Sequence, residues 1–182
     1  MKKNEYTHSD MPFLKKLTKK ERIRLVLQKD HWMQLRRYCI RLRKEEYYYR
    51  IGGFWGHFLS FFWCRRKNSL GNKLGIYIPK NVVGPGLTIY HHGAVIISGD
   101  ASIGCGCRLH GMNCIGNNGT SSGAPCIGNN VDIGVGASVI GPIHLGNNVV
   151  IGANATVLHD CIYDDVTLIG TPEKRMRTKD TL

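Results

Sequence analysis

Along the back half of the chain an aliphatic residue returns every sixth position. Ile127, Ile133, Val139, Leu145, Ile151 and Val157 form one unbroken series, and Ile97, Ile103, Leu109 and Ile115 form another upstream. Gly follows the aliphatic at Gly104, Gly116, Gly128, Gly134, Gly146 and Gly152. A small or apolar residue stands two positions before it, as at Ala101, Cys107, Val131, Ala137, Ile143, Val149 and Ala155, with Cys161 continuing the pattern. A helix repeats at 3.6 residues and a plain strand at two, so neither yields this ruler. A short strand and a turn, repeated as in a β-solenoid, does. Strand side chains alternate, so the aliphatic and the small residue before it share the inward face. The Gly-Asn-Asn sets at 116–118, 128–130 and 146–148 suit corners that need permissive backbone angles.

The ruler has two faults. Before Ile97 the series stops, and His91 occupies the place where the next aliphatic would fall. Between Ile115 and Ile127 the spacing keeps phase, but the intermediate position is Ser121, within a run of Gly, Thr, Ser and Pro. That composition predicts an excursion from the solenoid, and a loop that interrupts a strict repeat is a place to look for function.

The net charge of +12 divides unevenly along the 182 residues. Residues 1–73 hold 19 Lys/Arg against 6 Asp/Glu, whereas residues 74–182 hold 6 against 7, and 13 of the 16 aromatics precede residue 74. A basic, aromatic segment therefore precedes a nearly neutral solenoid. A solvated basic helical face accounts for the charge, and no nucleic-acid motif accompanies it. Thr18-Lys-Lys-Glu21 reads as a capping box, opening a helix predicted to run towards Tyr49. Gly52 and Gly53 end it. A second short helix over Phe54–Trp63 is expected to lay its aromatic side on the first coils or on the other helix, with Asn68–Lys73 as linker. Contact of this aromatic, basic helix with a membrane surface is the alternative. No signal peptide or membrane-spanning stretch is legible, so the expected location is cytoplasmic. The seven cysteines lack zinc-ligand spacing, and Cys105, Cys107 and Cys161 read as packing thiols inside the repeat, with no metal expected.

Leu74-Gly-Ile-Tyr-Ile-Pro79, Gly84-Pro-Gly-Leu-Thr-Ile-Tyr-His-His-Gly93 and the Ile-Gly repeats that follow resemble the left-handed β-helix (hexapeptide-repeat) acyltransferases. Within these they look like the serine acetyltransferase group, in its short variant associated with polysaccharide synthesis. Ile169-Gly-Thr-Pro172 is similar to the end of that fold, although Glu173 stands where the family has Ala. The resemblance implies a mainly β fold: a left-handed parallel β-helix over residues 74–172, preceded by a helical segment over 1–73 and followed by a charged tail over 173–182. It implies a homotrimer that binds acetyl-CoA between neighbours and transfers the acetyl group to L-serine, with no tightly bound cofactor.

The resemblance also assigns roles. Leu87-x-Ile89-x-His91, with Gly93 after it, puts the catalytic base on His91. His is suited to removing an alcohol proton near neutrality. His92 and His110 are candidate acceptor-binding residues. Gly119, Thr120, Ala137 and Ala155, mainly through backbone groups, together with Lys174, are candidates for acetyl-CoA, with Arg175 and Arg177 also near its phosphates. The sequence departs from the family twice. The long enzymes carry an Asp fifteen residues before the base, where this chain has Ile76, so Asp100 or Asp132 is left as a substitute orienting group. Their loop Arg-His, which meets the serine carboxylate, is replaced here by Gly123-Ala-Pro125. A sugar hydroxyl in surface-polysaccharide assembly is therefore the alternative acceptor, and a non-catalytic β-helix scaffold the alternative class. The C-terminal Leu182, in place of an Ile, predicts no cysteine synthase complex.

Overall fold

A computed structural model describes residues 9–176. The six-residue ruler becomes a three-sided parallel coil. One face stacks Ile76–Tyr77, Val95–Ile97, Cys114–Gly116, Ser138–Ile140 and Thr156–Val157. The second stacks Ser102–Ile103, Cys126–Ile127 and His144–Leu145. The third stacks Thr88–Ile89, Arg108–Leu109, Asp132–Ile133, Val150–Ile151 and Thr167–Ile169, to which Lys174–Met176 adds an antiparallel edge. All ten aliphatics of the ruler are buried, and so are the small residues two before them. Cys107 and Cys161 pack inside as expected, and burial pushes the Cys107 thiol up to about 12. Cys105 does not: it stands exposed at a corner.

Corner chemistry follows from close coil-to-coil approach. A Cβ on Gly128 would lie 2.5 Å from the Gly146 carbonyl oxygen, so only Gly fits there. The second Asn of two of the three sets, Asn130 and Asn148, takes a positive φ, and the Asn130 amide donates to Asn148 Oδ1 at 3.2 Å. Most coils are 18 residues long, as the partners Asp132 and Val150 show. The coil holding Ser121 is 24 long, since Ser102 pairs with Cys126, so the polar run is an excursion. The break before Ile97 is a phase slip. Leu87 and Ile89 are fully buried, and the corner after Ile89 is lengthened so that Thr88 pairs with Arg108, 20 residues on.

The N-terminal segment differs from its predicted layout in three respects. The capping box forms, with Glu21 N donating to Thr18 Oγ1 at 3.3 Å, but the helix it opens, α1 (Lys19–Leu27), is short and has no buried residue. Lys29 adopts a left-handed conformation and Asp30 caps a new helix, α2 (His31–Ile51), by accepting from Trp32 N at 2.8 Å. The third helix, α3 (Gly53–Leu74), continues through the expected linker. Its inward residues there are Lys67, Gly71 and Leu74, spaced as a helix requires, and Gly71 sits so close to the Ile76 carbonyl that no Cβ fits. The α3 aromatics face outward, contrary to expectation: Trp55 is 71% exposed and Phe61 60%.

Polar side chains in the core clamp α2 to the first coil. Arg43 is fully buried, and its five N–H donors reach five oxygens. Asp10 accepts twice, at 2.8 and 3.2 Å, Glu46 Oε2 once at 2.9 Å, and the carbonyls of Val83 and Gly84 at 2.7 and 2.6 Å. Burial alone would pull Arg43 below its ordinary pKa, but Asp10 and Glu46 more than reverse this and hold it charged. Asp10 also accepts from Gly86 N and Leu87 N, and Glu46 from Asn81 N. Lys67 repeats the theme between Glu45 and the Ile78 carbonyl, each at 2.9 Å.

At the other end, Glu173, expected to begin a solvated tail, folds back. Its carboxylate accepts from Leu158 N and His159 N at 3.0 Å and pairs with His159 Nδ1 at 2.9 Å. Burial works against that charge, yet these partners outweigh it and hold the carboxyl below its ordinary value of 4.5.

Two stability measurements follow. Arg43→Ala strands Asp10 and Glu46 as buried charges and is expected to cost about 3–5 kcal/mol in urea unfolding. The depressed Glu173 pKa makes its contribution complete above about pH 4.5 and lost as pH falls through the folded value. The melting-temperature gap between wild type and Glu173→Gln should therefore be widest near neutrality and close in acid.

Candidate functional site

The corners joining the third face to the first form one edge of the prism, and the predicted histidines gather there. His91 and His92 occupy the lengthened corner between Ile89 and Val95, and His110 begins the corner on the next coil. Register places Tyr90 beside His110, with ring centroids 4.6 Å apart. His91 lies over Gly111, where a Cβ would come within 3.3 Å of the His91 Cβ. Below them Asn113 fills a position that elsewhere in the ruler is small or apolar, and it is 1% exposed. It accepts from Gly111 N at 2.9 Å and donates to the carbonyls of Gly134 and Ala137 at 2.7 and 3.2 Å. One buried amide thus ties two successive corners of the edge together.

The two candidate histidines differ in their partners. His110 Nε2 pairs with Asp132 Oδ1 at 2.7 Å, and Arg108 Nε with Asp132 Oδ2 at 2.9 Å. Asp132, read from sequence as an acceptable orienting group for His91, therefore holds His110 instead. Asp100 is exposed, with its N–H on Ser98 Oγ. The His91 ring makes no hydrogen bond among the described residues. It stacks on His31, from the first turn of α2, with centroids 5.7 Å apart and planes 14° from parallel. His31 also meets the ring of His92 edge-on at 6.2 Å. Phe13 bridges Trp32 and Tyr90, at 5.1 and 6.1 Å, so the N-terminal segment roofs this edge with rings.

The residues proposed for acetyl-CoA are divided. Ala137 and Ala155 lie on the histidine edge but are fully buried, and their N–H groups donate to Gly134 and Gly152 within the coil. Their side chains belong to the core. Gly119 and Thr120 are exposed in the excursion at a different edge, where the first face turns into the second. Asn118 Oδ1 shapes that loop by accepting from Thr120 N and Ser121 N at 3.1 and 2.8 Å. Lys174 is an exposed strand residue, Arg175 stacks on Tyr163 at 4.3 Å, and Arg177 falls outside the described residues. A single chain thus brings His91, His92 and His110 together and keeps the loop apart from them.

Sequence reasoning missed His31 and Asn113, and it set Asp132 beside His91 rather than His110. Asp30 ahead of an apolar-periodic run was a legible helix start, but nothing local tied that start to a corner sixty residues on. Asp132 was findable from the 24-residue register, which places it beside Arg108.

No protein-family model matches the chain, and no curated protein sequence matches it. Solved structures do. Soybean serine acetyltransferase, as the apoenzyme, is 25% identical with a TM-score of 0.66, over 79% of this chain and 57% of that one. The Neisseria gonorrhoeae serine acetyltransferase is 26% identical with a TM-score of 0.60, over 79% and 54%. Isoform 3 from Entamoeba histolytica, solved with cysteine, is 28% identical with a TM-score of 0.58, over 74% and 46%. A Brucella abortus serine acetyltransferase solved with coenzyme A, at 24% identity and a TM-score of 0.62, shares the fold. The chain spans about half the length of these enzymes. Over that span its structural neighbours are serine acetyltransferases.

Proposed function

We propose that the protein is an acetyl-CoA-dependent O-acetyltransferase, a left-handed β-helix that works as a homotrimer, with residues 74–172 as the transferase part. The observation that carries the reading is the histidine edge, on a solenoid whose neighbours are serine acetyltransferases. His91 acts as general base. It takes the proton of an acceptor hydroxyl as the oxygen attacks the thioester carbonyl, and it returns that proton to the departing CoA sulfur. Backbone N–H groups at the Gly-rich corners are suited to the oxyanion of the tetrahedral intermediate. Trimer formation gives a reason for the divided site, because the Gly119–Thr120 loop of one copy would then face the histidine edge of the next.

The acceptor assigned here is a small hydroxyl compound, L-serine by family likeness. The excursion favours a sugar hydroxyl as the second reading, since Asn117–Pro125 offers no cation for an amino-acid carboxylate. The His110–Asp132 pair supports a second assignment of the base, because a carboxylate that fixes an imidazole prepares it for proton transfer.

Release of free CoA from acetyl-CoA, measured against L-serine, homoserine and a sugar panel, tests these readings. His91→Ala is expected to lower turnover by about 10²–10⁴-fold. His110→Ala and Asp132→Asn are expected to raise KM for the acceptor with a smaller effect on kcat. Near-wild-type turnover in His91→Ala, with collapse in His110→Ala, would transfer the role to His110.

A further inference from the structure

Neither the coil nor the histidine edge makes use of the outer face of α3. Across residues 31–74 the only acidic side chains are Glu45 and Glu46, and both are buried. Ten Lys/Arg lie in the same span; Arg43 and Lys67 are buried in ion pairs, which leaves eight, none of them buried. The outer surface of the helical hairpin is thus of a single sign.

The apolar pattern of α3 is inverted. Its packing side carries Gly56, Ser60, Lys67 and Gly71, while Phe54 is 78% exposed, Trp55 71%, Phe58 55% and Phe61 60%. Ile51, at the hairpin tip, extends the patch at 58% exposed. Further along the same helix the rings give way to arginines. Arg41, Arg65, Arg66 and Ser69 line a recess, and Arg41 donates to the Arg66 carbonyl at 2.7 Å. Arg66 lies over the Phe62 ring at 5.4 Å and Arg65 over Phe61 at 6.0 Å. Burial, and then the neighbouring Arg66 and Arg37, pull the Arg41 guanidinium below its ordinary value, a strain that an anion would relieve.

We propose that this face seats the protein on an anionic phospholipid bilayer, with Phe54, Trp55, Phe58 and Phe61 in the headgroup region and Arg41, Arg65 and Arg66 on lipid phosphates. Exposed rings beside cations, with no acid to repel the surface, are the chemistry of an interfacial helix. Among the described residues no helix is long and apolar enough to cross a membrane, so α3 lies in the interface plane. A second copy of the chain is a poorer occupant, because this face holds no carboxylate for its arginines. Nucleic acid is poorer too, because the Ile and Phe side chains of the tip have no polar group with which to read a base. The proposal stands independently of acetyl transfer.

The test is co-sedimentation of the full chain with vesicles of phosphatidylcholine alone and of phosphatidylcholine with phosphatidylglycerol, followed also by tryptophan emission. The expected result is binding to the phosphatidylglycerol vesicles, at least about tenfold weaker without the anionic lipid or at high salt. A blue shift that disappears in Trp55→Ala should accompany it. Phe58→Ser/Phe61→Ser and Arg65→Ala/Arg66→Ala should each weaken binding by about tenfold or more, with melting curves unchanged because the side chains are exposed. The proposal is overturned by no binding at low salt, or by binding that both variants retain. It is equally overturned by lipid-free self-association that the same substitutions abolish, or by tighter binding to an oligonucleotide than to the vesicles.

Discussion

The buried guanidinium of Arg43 is the interaction on which the arrangement of the whole molecule depends. A coil explains itself locally, since each turn needs only its neighbours. The helical hairpin does not: α2 buries Met33, Leu35, Tyr38 and Leu42, but the inward residues of α3 are largely small or polar. Arg43 supplies the missing attachment by spending every donor on α2, on Asp10 and on the first coil. A buried charge tolerates little displacement, because each broken bond leaves a desolvated group behind. The clamp therefore fixes more than stability. It sets the start of α2 against the lengthened corner, and so brings His31 onto His91. It also turns the opposite side of α3, rings and arginines together, away from the protein.

The faults in the six-residue period have structural meaning of different kinds. The one at His91 is a slip of register: Leu87 and Ile89 resume the core, and the extra corner residues are pushed out to the surface as histidines. The one at Ser121 is an added loop that leaves the strands on either side in their expected places. A solenoid cannot alter its interior without loss of stacking, so variation collects at corners, where side chains face solvent and backbone can lengthen. The two irregular corners belong to different edges, which is why one chain alone presents only half of the proposed site.

How much of this was legible depended on distance along the chain. The inward positions of the coil could be read because alternation and spacing are local properties, and each predicted core aliphatic from Ile97 to Val157 is buried. The capping box was legible for the same reason. The linker at Asn68–Lys73 was misread because its polar composition suits a loop, whereas Lys67 and Gly71 are inward helical residues whose partners, Glu45 and Ile76, lie on other elements. The outward aromatics were misread because hydrophobic side chains are assigned to a core by default, and only the packed hairpin shows that the inward side is already filled. The partners of Asp132 and Glu173 were not legible, because each gains its histidine only from the stacking of one coil on another.

In the proposed function the edge carrying His91 serves an acetyl donor. Isothermal titration of acetyl-CoA into the full chain addresses that claim before any acceptor is known. Saturable, stoichiometric binding, with free CoA competing for the same site, is the predicted result. Heats no larger than dilution across the whole titration would contradict it, and would leave the solenoid as a scaffold.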